Sequence, residues 1–229
     1  MPIPESLRRR PLRAVLFDLD GTVLDTAPDM HRAMNALLRE RRRAELPYAA
    51  VRSRVSHGAA GLLRAGFADV DEVEFRELQR RFLELYSAEL CVDTRAFPGM
   101  ESTLDRIAER GIAVGIVTNK AAWLTEPLLE RLGLRERFAC VVSGDTLSVR
   151  KPHPAPLLRA AELVGAAAAE CIYVGDAARD VEAAHAAGMS ALVALYGYFD
   201  ADEDVAAWGA EGAIDSLEEL AGWIGGEPA

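Results

Sequence analysis

Cysteine is scarce. Only Cys91, Cys140 and Cys171 occur in 229 residues, an odd number with no C-x-x-C pair, so neither a disulfide framework nor a thiolate zinc site is expected and a reducing compartment fits. Long apolar runs are missing as well. The basic terminus MPIPESLRRRPL leads into no stretch of signal-peptide length before Asp18 interrupts, and no later segment is long enough to span a bilayer. A cytoplasmic protein with no membrane partner is expected. Positive charge is in deficit, with 26 Lys and Arg against 36 Asp and Glu for a net charge of −10. Nucleic-acid surfaces want clustered cations, so no nucleic-acid partner is expected, and Arg8, Arg9 and Arg10 read as a solvated tail. Internal repeats are absent. The one alanine-rich tract, residues 166–169, reads as a helix-to-strand connection.

What is present is a half-hydrophobic, quarter-charged chain, the balance of a globular protein long enough for a large domain or a domain with an insertion. Its organising stretch is AVLFDLDGTVLD, residues 14–25. Residues 14–17 form a short apolar run stopped by Asp18, which reads as a core strand covered on both faces. Residues i and i+2 of an extended segment share a side, so Asp18 and Asp20 are expected to converge on one small volume before Gly21 lets the backbone turn. Two like charges that close need a cation between them, which suggests a Mg²⁺ site in which one carboxylate can also attack an electrophile. The plainer reading is an acidic Asp-Gly turn.

Residues 27–95 read as all helix. A helix starts at Ala27-Pro28-Asp29, two short helical pieces flank Ser56-His57-Gly58, and a longer amphipathic helix runs over 71–90. From Phe97 onward the rhythm is regular, with helix 100–109, strand 112–117, helix 122–132, strand 140–142, helix 156–164, strand 171–174, helix 181–187 and strand 191–195. A short strand at 212–214 and a helix at 217–224 close the chain. Strands alternating with helices of this length predict a doubly wound parallel sheet, a Rossmann-like α/β core. Some ninety residues separate the first two strands, where a parallel crossover needs only about a dozen. The surplus predicts an inserted all-helical cap over 27–95, leaving 1–26 and 96–229 as the core. Ligands of such sheets sit beyond the carboxyl ends of strands, and Asp18, Thr118 and Asp176 each lie just past one.

A carboxylate attacking a phosphate dianion at roughly 3.5 Å meets a repulsion on the order of 9 kcal/mol at an effective dielectric of 20, so cations and oriented donors must remove it. Asp176 can join Asp18 as a metal ligand, with Asp180 placed to orient the site or to hold a metal-bound water; helix capping is the plainer reading of that pair. Lys151, stiffened by Pro152 and Pro154, can neutralise both the nucleophile and the phosphoryl group, or can be a surface lysine in a turn. Thr118 and Asn119 offer a phosphate cradle at a strand-to-helix junction, or a helix cap. His57, beside Gly58 on a cap loop, can reach the crevice and read the substrate, with Arg54 as an anion anchor. Trp123, Trp208 and Trp223 read as packing residues.

The order of four motifs, FDLDGT, then VTN after an apolar strand, then KPHP, then GDAARD, resembles the haloacid dehalogenase-like superfamily in its phosphatase branch. The resemblance covers nearly the whole chain and implies an α/β core with a helical cap after the first motif. It implies Asp18 as the nucleophile forming an aspartyl-phosphate and Asp20 as general acid, then base for water. Thr118 and Lys151 would bind the phosphoryl group, and Mg²⁺ would be held by the Asp18 side chain, the Asp20 backbone carbonyl and Asp176. Dehalogenases differ at the second acidic position, so Asp20 favours phosphate ester chemistry. DTAPD, VTNK, RKPHPAPL and Tyr196-Gly197-Tyr198 resemble phosphoglycolate phosphatase-like proteins. Residues 55–59 and 207–210 also resemble the N-acetylmuramic acid 6-phosphate phosphatases. Ala177 and Ala121 depart from the pattern, where a hydroxyl residue and a proline are frequent. The implied enzyme is a monomer or weak dimer acting on a small phosphorylated metabolite; a phosphomutase and a catalytically silent phospho-ligand sensor are the alternatives.

Overall fold

The computed structural model describes Leu7 and residues 11–199 and 203–225, so the arginine run at 8–10 lies outside the described residues. Six parallel strands form one sheet: β1 (Ala14–Phe17), β4 (Ala113–Val117), β5 (Cys140–Val142), β6 (Cys171–Gly175), β7 (Ser190–Ala194) and β8 (Gly212–Ile214), in the order β5-β4-β1-β6-β7-β8. The first strand is thus central. Val15 and Phe17 enter one hydrophobic core and Ala14 and Leu16 the other, the alternation expected of a strand buried on both faces. Helices cover both sides. Those at Met100–Glu109 (α5) and Leu217–Gly225 (α9) contribute Leu104, Ile107, Leu220 and Trp223 to the first core. Those at Ala155–Leu163 (α7) and Ala178–Ala186 (α8) contribute Leu157, Val181 and Ala184 to the second.

Register places the chemistry. Phe17 lies opposite both Ile116 and Val174, so the residues that follow each strand emerge at one edge of the sheet. The Asp18 N–H donates to Val174 O at 2.9 Å and the Thr118 N–H to Val142 O at 2.9 Å, which carries the ladder one step past the strands.

Between β1 and β4 the chain makes helices α1 (Ala27–Glu40), α2 (Tyr48–Arg52), α3 (Gly58–Gly66) and α4 (Glu72–Ala88), with a 3₁₀ turn at Val55–His57. The apolar stripe of α4 buries Phe75, Leu78, Phe82 and Tyr86, a 3-4-4 spacing that keeps one face inward, and Asp71 caps its start by accepting the Val73 and Glu74 N–H groups at 2.9 Å. The sequence expectation missed a two-stranded antiparallel ribbon, β2 (Leu24–Asp25) with β3 (Arg95–Ala96), where the chain leaves and re-enters the core side by side. Two residues per strand are too few to show a period. Ser56 and His57, expected in a loop, belong to the 3₁₀ turn.

Asp29, in the first turn of α1, fixes this crossing. Its buried carboxylate accepts from the N–H groups of Val92, Asp93 and Thr94 at 3.0, 2.9 and 3.0 Å and from Thr94 Oγ1 at 2.6 Å, and Arg32 pairs with it at 2.9 Å. No helix among the described residues is long and apolar enough to cross a membrane.

Candidate active site

Asp18 is buried just past β1 and accepts a bond from the Leu19 N–H at 2.7 Å. Lys151 Nζ reaches its Oδ1 at 3.0 Å and Asp180 Oδ1 at 2.8 Å, and donates to Val117 O at 2.9 Å. The Tyr173 hydroxyl stands 2.6 Å from the same ammonium and donates to Val117 O at 2.7 Å. Lys151 is thereby fixed by four oxygens in a site closed to solvent, where its charge acts with little screening.

Asp176, wholly buried, receives the Tyr198 N–H and Ser56 Oγ on Oδ2, each at 2.8 Å. Burial first, then the Asp18 and Asp180 carboxylates, push its pKa up against those two donors. The backbone is held close around it. A Cβ on Gly21, whose φ is +84°, would stand 2.1 Å from Asp176 Oδ2, and one on Gly197 2.3 Å from Asp176 Cβ. One oxygen from each of Asp18, Asp176 and Asp180 lies within 4.8 Å of the others. Three buried carboxylates beside Lys151 form a donor set that fits a small, hard divalent cation, which takes oxygen ligands.

The expectation drawn from an extended chain concerns one shared volume, and Asp18 and Asp20 do line the same cleft. The chain bends at Leu19 between them, and the Asp20 carboxylate stands outside the three-carboxylate cluster, held by Thr26 Oγ1 at 2.7 Å and by Lys120 Nζ at 3.0 and 3.3 Å. The third carboxylate of the cluster is Asp180, expected to orient the site or to hold a metal-bound water. Lys120, a group the sequence reading passed over, also meets the Tyr86 hydroxyl from α4 at 3.1 Å. Burial alone would lower the lysine pKa, but Asp20 and Tyr86 outweigh it and keep the ammonium protonated. Burial pushes the Tyr86 hydroxyl up to about 12.

The cleft over these groups has a volume of about 740 Å³. Asp18, Asp20, Thr118 and Asn119 line it from the sheet edge, His57 and Gly58 from the helical insertion. Lys151, Asp176 and Asp180 lie behind that lining. Thr118 is buried, and its Oγ1 accepts the Lys120 N–H at 3.2 Å. The Asn119 side chain braces the lysine loop: its amide donates to Lys151 O and accepts the Lys151 N–H, both at 3.0 Å.

Arg54 is exposed and is not among the lining residues, because the 3₁₀ turn that follows directs Val55 and Ser56 inward. Trp123 corrects an expectation. It is 51% exposed and lines the cleft, as do Arg150 and Arg179, whereas Trp223 is buried as a packing residue should be. Tyr173 had a sequence signal in Tyr173-Val174-Gly175-Asp176, since a buried strand tyrosine needs a polar partner near the strand end. Lys120 and Arg179 lie inside VTNK and GDAARD without a signal of their own, and Tyr86 had none.

The comparisons agree with this geometry. A family model described as haloacid dehalogenase-like hydrolase matches residues 15–194. A curated phosphoglycolate phosphatase of Xanthomonas campestris is 45% identical over 208 residues, 91% of this chain and 94% of that protein. An N-acetylmuramic acid 6-phosphate phosphatase of Pseudomonas putida is 37% identical over 210 residues, again 91% and 94%. A crystal structure from Haemophilus somnus, described as a predicted phosphoglycolate phosphatase, superposes with a TM-score of 0.83 at 26% identity, over 93% of this chain and 97% of that one. A match across most of the chain, on a parallel sheet whose edge gathers the motif residues, places this protein in the haloacid dehalogenase-like hydrolase family.

Proposed function

We propose that this protein is a Mg²⁺-dependent phosphomonoesterase that transfers the phosphoryl group of a small metabolite to Asp18 and then to water. The observation that carries the reading is Lys151 Nζ held between Asp18 and Asp180 at 3.0 and 2.8 Å, beside Thr118, at the base of an open cleft. A carboxylate so neighboured can approach a phosphate ester, because the lysine offsets the repulsion between two anions. Asp18, Asp176 and, nearest to them, Asp180 would hold the ion, which when bound neutralises charge on the phosphoryl oxygens.

In the first step an Asp18 oxygen bonds to phosphorus while the ester oxygen departs and takes a proton from Asp20. In the second, water attacks the aspartyl-phosphate and gives a proton to Asp20, releasing phosphate and restoring Asp18. Lys120 and Thr26 fix the Asp20 carboxylate for that exchange. Thr118 receives the phosphoryl oxygens. Residues 27–95 act as a cap that closes over the site and excludes water from the first step, with Ser56 and Tyr86 as its contacts to Asp176 and Lys120.

A cleft of about 740 Å³ is in the range that encloses ligands far larger than a two-carbon acid. Between the substrates named for its relatives, N-acetylmuramic acid 6-phosphate suits that space better than 2-phosphoglycolate. Rates on the two compounds side by side decide it; a higher kcat/KM for 2-phosphoglycolate contradicts the choice. Asp18→Asn is expected to abolish phosphate release from 4-nitrophenyl phosphate with Mg²⁺ while the melting temperature stays near that of the parent. Undiminished release overturns the mechanism.

A further inference from the structure

Arg179 stands in the first turn of α8, between Asp176 and Asp180 in the chain. Its Nε is shut off from solvent and has no hydrogen-bond partner, and the residue forms no ion pair among the described residues. Native proteins leave few buried donors in that condition, least of all charged ones. Yet Arg179 lines the cleft alongside Asp18 and Thr118. Its side chain therefore borders space that a ligand enters.

The neighbouring cations are already engaged. Lys151 is bound by two carboxylates, a carbonyl and a tyrosine hydroxyl; Lys120 pairs with Asp20; Arg150 Nε donates to Gly144 O at 2.6 Å. Arg179 is the cation beside the nucleophile whose Nε is left over. Arg179 follows β6 in the first turn of α8, on the sheet side of the cleft, whereas His57, Gln79 and Phe82 line it from the helical insertion.

We propose that Arg179 binds the transferring phosphoryl group itself, its guanidinium fork taking phosphoryl oxygens that Lys151 is not free to hold. Arg suits the task because its planar donors match a phosphate in two-point contact where an ammonium offers a point charge. The assignment rests on the phosphatase reading and adds to it a binding residue within GDAARD to which the motif reading gave no role. It also predicts that the product, inorganic phosphate, is held by the same side chain.

The test measures orthophosphate affinity of the full chain with Mg²⁺ present, by calorimetry, in the parent protein, Arg179→Gln and Arg179→Lys. Loss of a charge-assisted contact is expected to weaken binding about ten- to a hundredfold in R179Q, with R179K between the two. KM for 4-nitrophenyl phosphate should rise in parallel. Binding needs no turnover, so a parent protein that binds phosphate through Arg179 but hydrolyses nothing refutes the phosphatase reading while the phosphate contact of Arg179 still stands. Orthophosphate affinity within about twofold of the parent in both variants overturns the assignment. So does a loss confined to carboxylate-bearing substrates, which would place Arg179 on the substrate's tail. Should R179Q fail to fold, R179K carries the test alone, its expected weakening measured against the same twofold limit.

Discussion

Lys120 holds Asp20 at 3.0 and 3.3 Å and nothing else cationic touches that carboxylate among the described contacts. Lys120→Met should therefore lower kcat by about a hundredfold, the lower range for a misplaced general acid-base group. The leaving group separates positioning from general damage. An alkyl phosphate, whose departing oxygen needs a proton, should lose more than 4-nitrophenyl phosphate; equal losses contradict the role. Asp29 works through stability instead. Burial raises its pKa, but bonds from Thr94, Asp93 and Arg32 together prevail and hold it below 3.8. A folded-state value below the unfolded one means its stabilisation is complete above about pH 3.8 and is lost as pH falls through the lower folded value. Asp29→Ala should cost about 3–5 kcal/mol near neutrality, since it strands buried donors. In acid melts the gap between variant and parent should narrow below pH 3.8; a gap constant with pH refutes the account.

At the scale of elements, α6 (Ala122–Arg131) follows the Thr118 strand end and carries Trp123 to the cleft mouth, while Leu124, Leu128 and Leu129 anchor the same helix in the core. An exposed indole beside a cleft of this size is suited to the face of a sugar ring. Trp123→Ala is expected to raise KM for N-acetylmuramic acid 6-phosphate about three- to tenfold and leave KM for 2-phosphoglycolate unchanged, a difference in the range of one aromatic contact. Equal effects on both assign Trp123 to packing. The sequence left this residue among the core tryptophans because a single aromatic next to a leucine carries no period. The strands were legible for the opposite reason: they are apolar runs, and the two that flank the cleft end at candidate site residues, as Phe17 yields to Asp18 and Val117 to Thr118.

For the whole molecule, what could be read from the chain was the order of strands and helices, the helical insertion and the sheet edge on which Asp18, Thr118 and Asp176 meet. What could not be read were contacts made by docking distant segments. Tyr86 with Lys120, Ser56 with Asp176, and Asp29 with Thr94 join residues 34, 120 and 65 positions apart, and no local pattern encodes such pairs. The hold of Lys120 and Thr26 on Asp20 was likewise unreadable, since it follows from the bend at Leu19, which an alternating reading of side chains does not anticipate. The first two of these contacts tie the helical insertion to the sheet edge, so the cleft is a product of the fold's two parts together.

All of this turns on Asp18 carrying the phosphoryl group between substrate and water. The direct measurement uses Asp20→Asn, which slows the second step, mixed with labelled 4-nitrophenyl phosphate and Mg²⁺, quenched in acid and digested for peptide mass analysis. The account predicts an acid-stable, hydroxylamine-labile phosphate on the peptide containing Asp18 and on no other. A phosphate found on a different residue, or release of phosphate at an undiminished rate by Asp18→Asn, contradicts it.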